Sequence, residues 1–193
     1  MGDTQAYQPL TRHDRVTVVL YRIGIVLAAV SMAALAAAAG GAWAPLAGVF
    51  LTALFFSVGV SVFFIHLYVS RFHKGLKILY VAAALCFAGL FVLGSGNPLA
   101  PVLSAWYGPL LLLPLSVCLG FITAKEAFCS RLNEGYLIAI LLPLLLVLGA
   151  ALPVTTRGLT VFFFFICFLL VLFTLRKVFQ PLHYDIGDKS AYQ

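Results

Sequence analysis

Long apolar runs alternate with short polar breaks along this chain, and the runs are of membrane-crossing length. They cover about residues 16–43, 46–68, 78–93, 103–123, 136–152 and 159–175, against the roughly 20 residues a helix needs to cross a hydrocarbon core. Between them stand recognisable stops. Arg71-Phe72-His73-Lys74 follows the second run, and Gly94-Ser95-Gly96-Asn97-Pro98 turns the chain after the third. The polar stretch from Lys125 to Glu134 follows the fourth, Pro153 ends the fifth, and Arg176-Lys177 ends the sixth. The pattern predicts an all-α, polytopic six-helix transmembrane bundle at 16–179, with polar tails at 1–15 and 180–193.

Basic residues resist translocation and gather in cytoplasmic segments. Eleven of the twelve lysines and arginines fall on one side of the predicted spans, and only Arg157 falls on the other. With six spans this predicts both termini on the cytoplasmic side. Trp43 and Trp106 fall at the opposite, outer interface, and Tyr21, Tyr68, Tyr80 and Tyr136 at the inner one, as an aromatic belt would place them.

Composition removes the soluble alternatives. Hydrophobic residues make up 63% of the chain and charged residues 9%, with a mean hydropathy of +1.09; a water-soluble fold would have too few charges to cover its surface. The net charge of +6 does not indicate nucleic acid, because the basic residues are spread between spans rather than gathered on one face. Cys86, Cys118, Cys129 and Cys167 form no CxxC pair and read as free thiols. The polar first fifteen residues and the long run behind them do not suggest a cleavable signal peptide.

Lipid tails are as apolar as leucine, so membrane helices associate through small residues that let backbones approach. Ala29, Ala33, Ala37 and Gly41 recur every four residues and predict a helix-packing face on the first span. The phenylalanine-rich sixth span predicts a peripheral helix facing lipid. Pro109 and Pro114 in the fourth run and Pro143 in the fifth predict kinks, each removing a helix hydrogen bond. Lys74-Gly75-Leu76 and Arg157-Gly158-Leu159 precede spans in the two halves, with Cys86-Phe87 and Cys167-Phe168 behind them. Their spacings differ, too little correspondence to establish an internal repeat.

Ionisable groups near a membrane are costly and therefore functional candidates. His66, His73, Lys125 and Glu126 form the candidate polar cluster at the cytoplasmic end. His66 and His73 would share a face of a continuing helix about 10 Å apart, at about 1.5 Å rise per residue, too far to hold one metal. Glu126 is expected to pair with Arg22, Lys77 or His66. No GxSxG, HExxH, histidine-box or Walker pattern is present, so the chain reads as non-enzymatic, with no metal site and no indicated cofactor.

Two segments carry a resemblance. One is Ile65-His66-Leu67-Tyr68 with the basic residues and Leu76 behind it. The other is Phe121-Ile122-Thr123-Ala124-Lys125-Glu126-Ala127-Phe128-Cys129, followed by Glu134 and Leu141-Leu142-Pro143-Leu144-Leu145-Leu146. Over about residues 60–150 the chain resembles a cyanobacterial family of integral membrane proteins of unknown function. The resemblance implies a plasma or thylakoid membrane and supplies no activity. The family segment continues with Gly-His after its leucines, where this chain has Gly149-Ala150. Two functions follow as expectations: an accessory or assembly factor of a membrane complex, or a small transporter or channel built on the proline-interrupted spans, working as a homo-oligomer.

Overall fold

A computed structural model describes residues 11–67, 70–152 and 157–181. The tail at 1–10, Tyr68, Pro153 and the tail from 182, including Lys189, lie outside the described residues. Seven helices occupy the remainder: α1 Arg12–Ala39, α2 Ala47–Phe64, α3 Ser70–Leu93, α4 Leu99–Ser104, α5 Leu113–Ser130, α6 Glu134–Ala151 and α7 Arg157–Val178. Short 3-10 turns, Ala44–Leu46 and Pro109–Leu112, lead into α2 and α5. All but the short α4 are long and apolar enough to cross a membrane.

Local chemistry sets the helix ends. Thr11 caps α1: its hydroxyl accepts from the Asp14 amide at 3.2 Å, and its own amide donates to the Asp14 carboxylate at 2.9 Å. This reciprocal pair satisfies two amides that the first turn leaves open. Beyond Ala39 the chain turns through Gly41 at a φ of 97°, which a side chain would resist. Gly41 therefore lies outside the helix on which it was expected. The fourth span begins later than its apolar run, at Pro109, and continues to Ser130. Pro109 and Pro114 consequently sit in the first turns of the 3-10 segment and of α5, where a missing amide costs little. Neither is a kink. Pro143 does lie inside α6, and the carbonyl it deprives of a donor, that of Ala139, faces Gly120 of α5, where an added Cβ would stand 3.3 Å from it.

Close helix approach rests on small residues, and glycines outside the expected face take part in it. A Cβ on Gly24 would lie 2.8 Å from the Ser61 amide nitrogen and 2.9 Å from the Ser57 carbonyl, so α1 and α2 meet backbone to backbone there. The Ser61 hydroxyl donates across the same contact to the Tyr21 carbonyl at 3.3 Å. On α5 and α6, Gly120 rests on Ala139, and Gly135 on the Thr123 carbonyl. Of the expected face, Ala29 is buried, Ala37 half-buried and Ala33 exposed. The four-residue repeat drifts off the contact because the face in use follows the helical period through Tyr21, Ala28 and Met32.

Each half pairs its spans alike: α1 packs on α2, and α5 on α6, while α7 closes against α6 and α1 and α3 lies on α5 and α2. On the last of these contacts Phe55 stacks between Tyr80, at 5.1 Å, and Phe87, at 4.4 Å between ring centroids. Two expectations about aromatics change. Tyr21 and Tyr80 are interior side chains, whereas Trp43, Trp106 and Tyr136 are exposed. The sixth span also is not simply peripheral. Phe164, Phe165 and Phe168 are exposed, but Ile166, Leu170, Phe173 and Lys177 form a stripe that solvent does not reach.

Candidate functional site

Polar chemistry concentrates at the basic end of the bundle. α5 continues one turn past Lys125 and Glu126, which carries Glu126 into the contact with α1 and α7, where it is fully buried. Its carboxylate accepts from the Tyr21 hydroxyl at 2.8 Å, the Lys125 ammonium at 2.8 Å and the Ser130 hydroxyl at 3.3 Å. It also forms an ion pair with Lys177 of α7. The Lys177 ammonium reaches Ser130 and Gln180 as well, each at 3.4 Å, and Lys125 stands 5.7 Å from the centre of the Tyr21 ring. Four donors from three helices meet one carboxylate, which is what a buried charge requires to remain inside.

Two further contacts tie α7 to its neighbours at this end. Arg22 donates to the carbonyls of Val178, Gln180 and Pro181 at 3.3, 2.6 and 3.1 Å, covering acceptors that the end of α7 leaves open. Glu134, in the first turn of α6, receives Arg176 on both carboxylate oxygens at 2.8 Å.

The expected cluster is thus partly assembled. Lys125 and Glu126 meet, and their further partners are Tyr21, Ser130 and Lys177. The two histidines do not share a helix face, because α2 ends at Phe64 and Ile65 is extended before α3 begins at Ser70. His66 lies in that link, its Nε2 3.2 Å from the Thr17 hydroxyl. His73 lies in the first turn of α3, with its Nε2 buried and without a hydrogen bond. Among the described residues no group of three or more histidine, cysteine or acidic side chains could hold a metal ion. Lys177 was missed because a basic pair after an apolar run reads as a stop signal. The stripe Ile166, Leu170, Phe173, Lys177 was the available sign of its burial.

The opposite end, which carries Trp43 and Trp106, contains a chamber of about 450 Å³. One face of each of five spans lines it: Met32, Leu35 and Ala38 from α1; Ala47, Leu51, Leu54 and Val58 from α2; Leu112, Leu115 and Leu119 from the α5 span; Leu142, Leu145, Leu146 and Gly149 from α6; Leu159 and Phe163 from α7. α4 adds Leu99, Val102 and Leu103. Its wall is almost wholly apolar. Ser116 and Thr160 bring hydroxyls to it, and that of Ser116 is already bonded to the Leu113 carbonyl at 2.8 Å. The space exists because Ala38, Ala39, Ala44, Ala47 and Gly149 stand where larger side chains would fill it. The alanine-rich end of α1 therefore walls a cavity as well as packing. Pro109 is also on the wall. The volume lies within the range of about 300–1,000 Å³ usual for small-molecule pockets, which are mostly apolar.

A family model described as an uncharacterized integral membrane protein, DUF2301, matches residues 60–193. No curated protein and no solved structure matches the chain.

Proposed function

Since the chain belongs to this DUF2301 family of integral membrane proteins, its work is done within a bilayer, and we propose that it is a non-enzymatic accessory protein that binds an apolar chain in its chamber. The observation that carries this reading is the 450 Å³ apolar space at the tryptophan end. Dry cavities lined by aliphatic and aromatic side chains accept apolar molecules and give polar ones no partners. The most polar cluster offers little to a reaction: the Glu126 carboxylate is occupied by Tyr21, Lys125, Ser130 and Lys177 and acts as a pin between helices.

Transport of a polar solute, the alternative, needs polar groups at the midplane. Pro109 borders the cavity as that alternative would have it, but among the described residues Ser116 and Thr160 alone bring side-chain polar groups there. Association with a larger complex in a bacterial plasma or thylakoid membrane, or with further copies of the chain, completes the accessory reading.

The test is purification of the tagged protein in mild detergent, with extracted small molecules and co-purifying proteins identified by mass spectrometry. The expected result is one apolar-chain molecule retained per protein and lost when Ala38→Phe or Ala47→Phe fills the space. Protein that carries no such molecule, or whose bound molecule is indifferent to both substitutions, would overturn the reading.

A further inference from the structure

The chamber has a second compartment at its mouth. A hollow of about 230 Å³, formed by 103–106 and 149–152, shares Leu103 and Gly149 with it. Unlike the chamber, the hollow presents polar and apolar surface in comparable measure. We propose that the chamber takes one acyl chain of a membrane lipid from the leaflet at the tryptophan end, and that the hollow takes that lipid's polar head through hydrogen bonds that the head donates. This deepens the apolar-chain reading above and rests on it.

Depth points to a lipid chain. The chamber's wall on α2 runs from Ala47 to Val58, about 16 Å at a rise of about 1.5 Å per residue. A hydrocarbon core is about 30 Å thick, so the space matches one leaflet. It begins at the level of Ala44 and Leu103, close to exposed Trp106, whose ring type marks the headgroup level. A chain entering from that leaflet meets the chamber in the orientation it already has.

Chemistry at the mouth selects the head. The apolar chamber would charge a polar group several kcal/mol for entry without a partner, so the head stays outside. Among the described residues no ionisable side chain lines the hollow. The C-terminal end of α6 reaches it, where the last carbonyls carry the negative end of the helix dipole, and Trp106 borders it from the other side. The Ser104 hydroxyl is turned back onto the Ala100 carbonyl at 2.8 Å. Acceptors of this kind suit an ammonium or hydroxyl head, and offer no hydrogen bond to a quaternary amine, which has no N–H and keeps only the charge attraction.

The experiment uses the full chain in vesicles of phosphatidylethanolamine and phosphatidylglycerol. A small fraction of either phosphatidylethanolamine or phosphatidylcholine carries a diazirine near the end of one acyl chain. After irradiation, labelled residues are mapped by mass spectrometry. The expected result is labelling at Leu54, Leu119 and Leu142 inside the chamber, several-fold stronger from the ethanolamine lipid than from its choline counterpart. Exposed Leu85 and Phe168 should label equally from both. Ala47→Phe should abolish the interior labelling and leave Leu85 and Phe168 unchanged, which also reports an intact fold. Leu103→Trp, at a site 53% exposed, should do the same from the mouth. Equal interior labelling by both lipids overturns the head assignment. Absence of interior labelling from both lipids overturns the lipid itself, and if an apolar molecule still co-purifies, the apolar-chain reading survives without it.

Discussion

Glu126 of α5 and Lys177 of α7 form an ion pair in which both side chains are shut off from solvent. Removing one partner of a buried pair leaves a charge inside without compensation and costs about 3–5 kcal/mol. Glu126→Gln, which strands both Lys125 and Lys177, should lower thermal stability in detergent by about that amount, and Lys177→Met, which leaves Lys125 beside the carboxylate, by less. The double variant should recover part of the loss. Additive losses in the resulting cycle would show that the two residues do not act through each other.

The second ion pair should behave differently. Glu134 is buried, but Arg176 is 51% exposed. Solvent and salt screen such a partner, so Arg176→Ala is expected to cost about 1 kcal/mol or less. The comparison with Lys177→Met, one residue away on the same helix, separates burial from mere position. Melting curves of both variants recorded side by side decide it.

At Gly24 the backbones of α1 and α2 meet. An alanine there would bring its Cβ 2.8 Å from a backbone nitrogen and 2.9 Å from a carbonyl oxygen, atoms that cannot rotate away. Gly24→Ala should destabilise by about 1–3 kcal/mol, as overpacking does, and Gly24→Leu should prevent assembly. By contrast Ala33→Leu, on an exposed site of the same helix, should be tolerated by the monomer. Detergent-resistant folding of the three variants checks the difference.

Pro109→Ala and Pro114→Ala should each change stability by no more than about 1 kcal/mol, because both prolines occupy first turns that need no amide. A proline inside a helix costs about 3 kcal/mol, so a marked gain on replacing either one would return it to the helix interior.

Topology can be read from thiols. Cys129 is exposed at the basic end, and Ser95 is exposed in the turn that follows α3 at the other. If the basic end is inside, as the positive-inside rule predicts, a membrane-impermeant maleimide applied to intact cells should label Ser95→Cys at once and Cys129 only after permeabilisation. The reverse pattern would invert the protein.

The six spans were legible because apolar runs of membrane length have few other uses, and the observed helices fall on all six runs. Their ends were less so. Hydropathy drops at Lys125, yet α5 continues to Ser130 because its charges are neutralised within the bundle and need not leave it. Lys177 looked like a second exposed stop charge beside Arg176 and is not one: successive helical residues point about 100° apart, so one meets solvent and the other the core. The prolines were misplaced because Trp106-Tyr107-Gly108 reads as a continuation of the apolar run. The chamber left the faintest trace. A cavity is volume that side chains fail to fill, and a sequence records only which side chains are present; the alanines near residues 33–47 were its one sign, and they read equally well as a packing face.

The directional bonds of the bundle are unevenly distributed along its length. Glu126, Glu134 and Arg22 fasten the same terminus of α7, to α5, α6 and α1, while around the chamber the spans meet almost wholly through dispersion between leucines and alanines. Dispersion contacts are non-directional and let side chains slide past one another, whereas hydrogen bonds hold a defined angle. The molecule is therefore stiff at one pole and compliant at the other, like a peg sprung from its closed end. Parting the helices is expected to cost least at the rim of the cavity and most beside the charges.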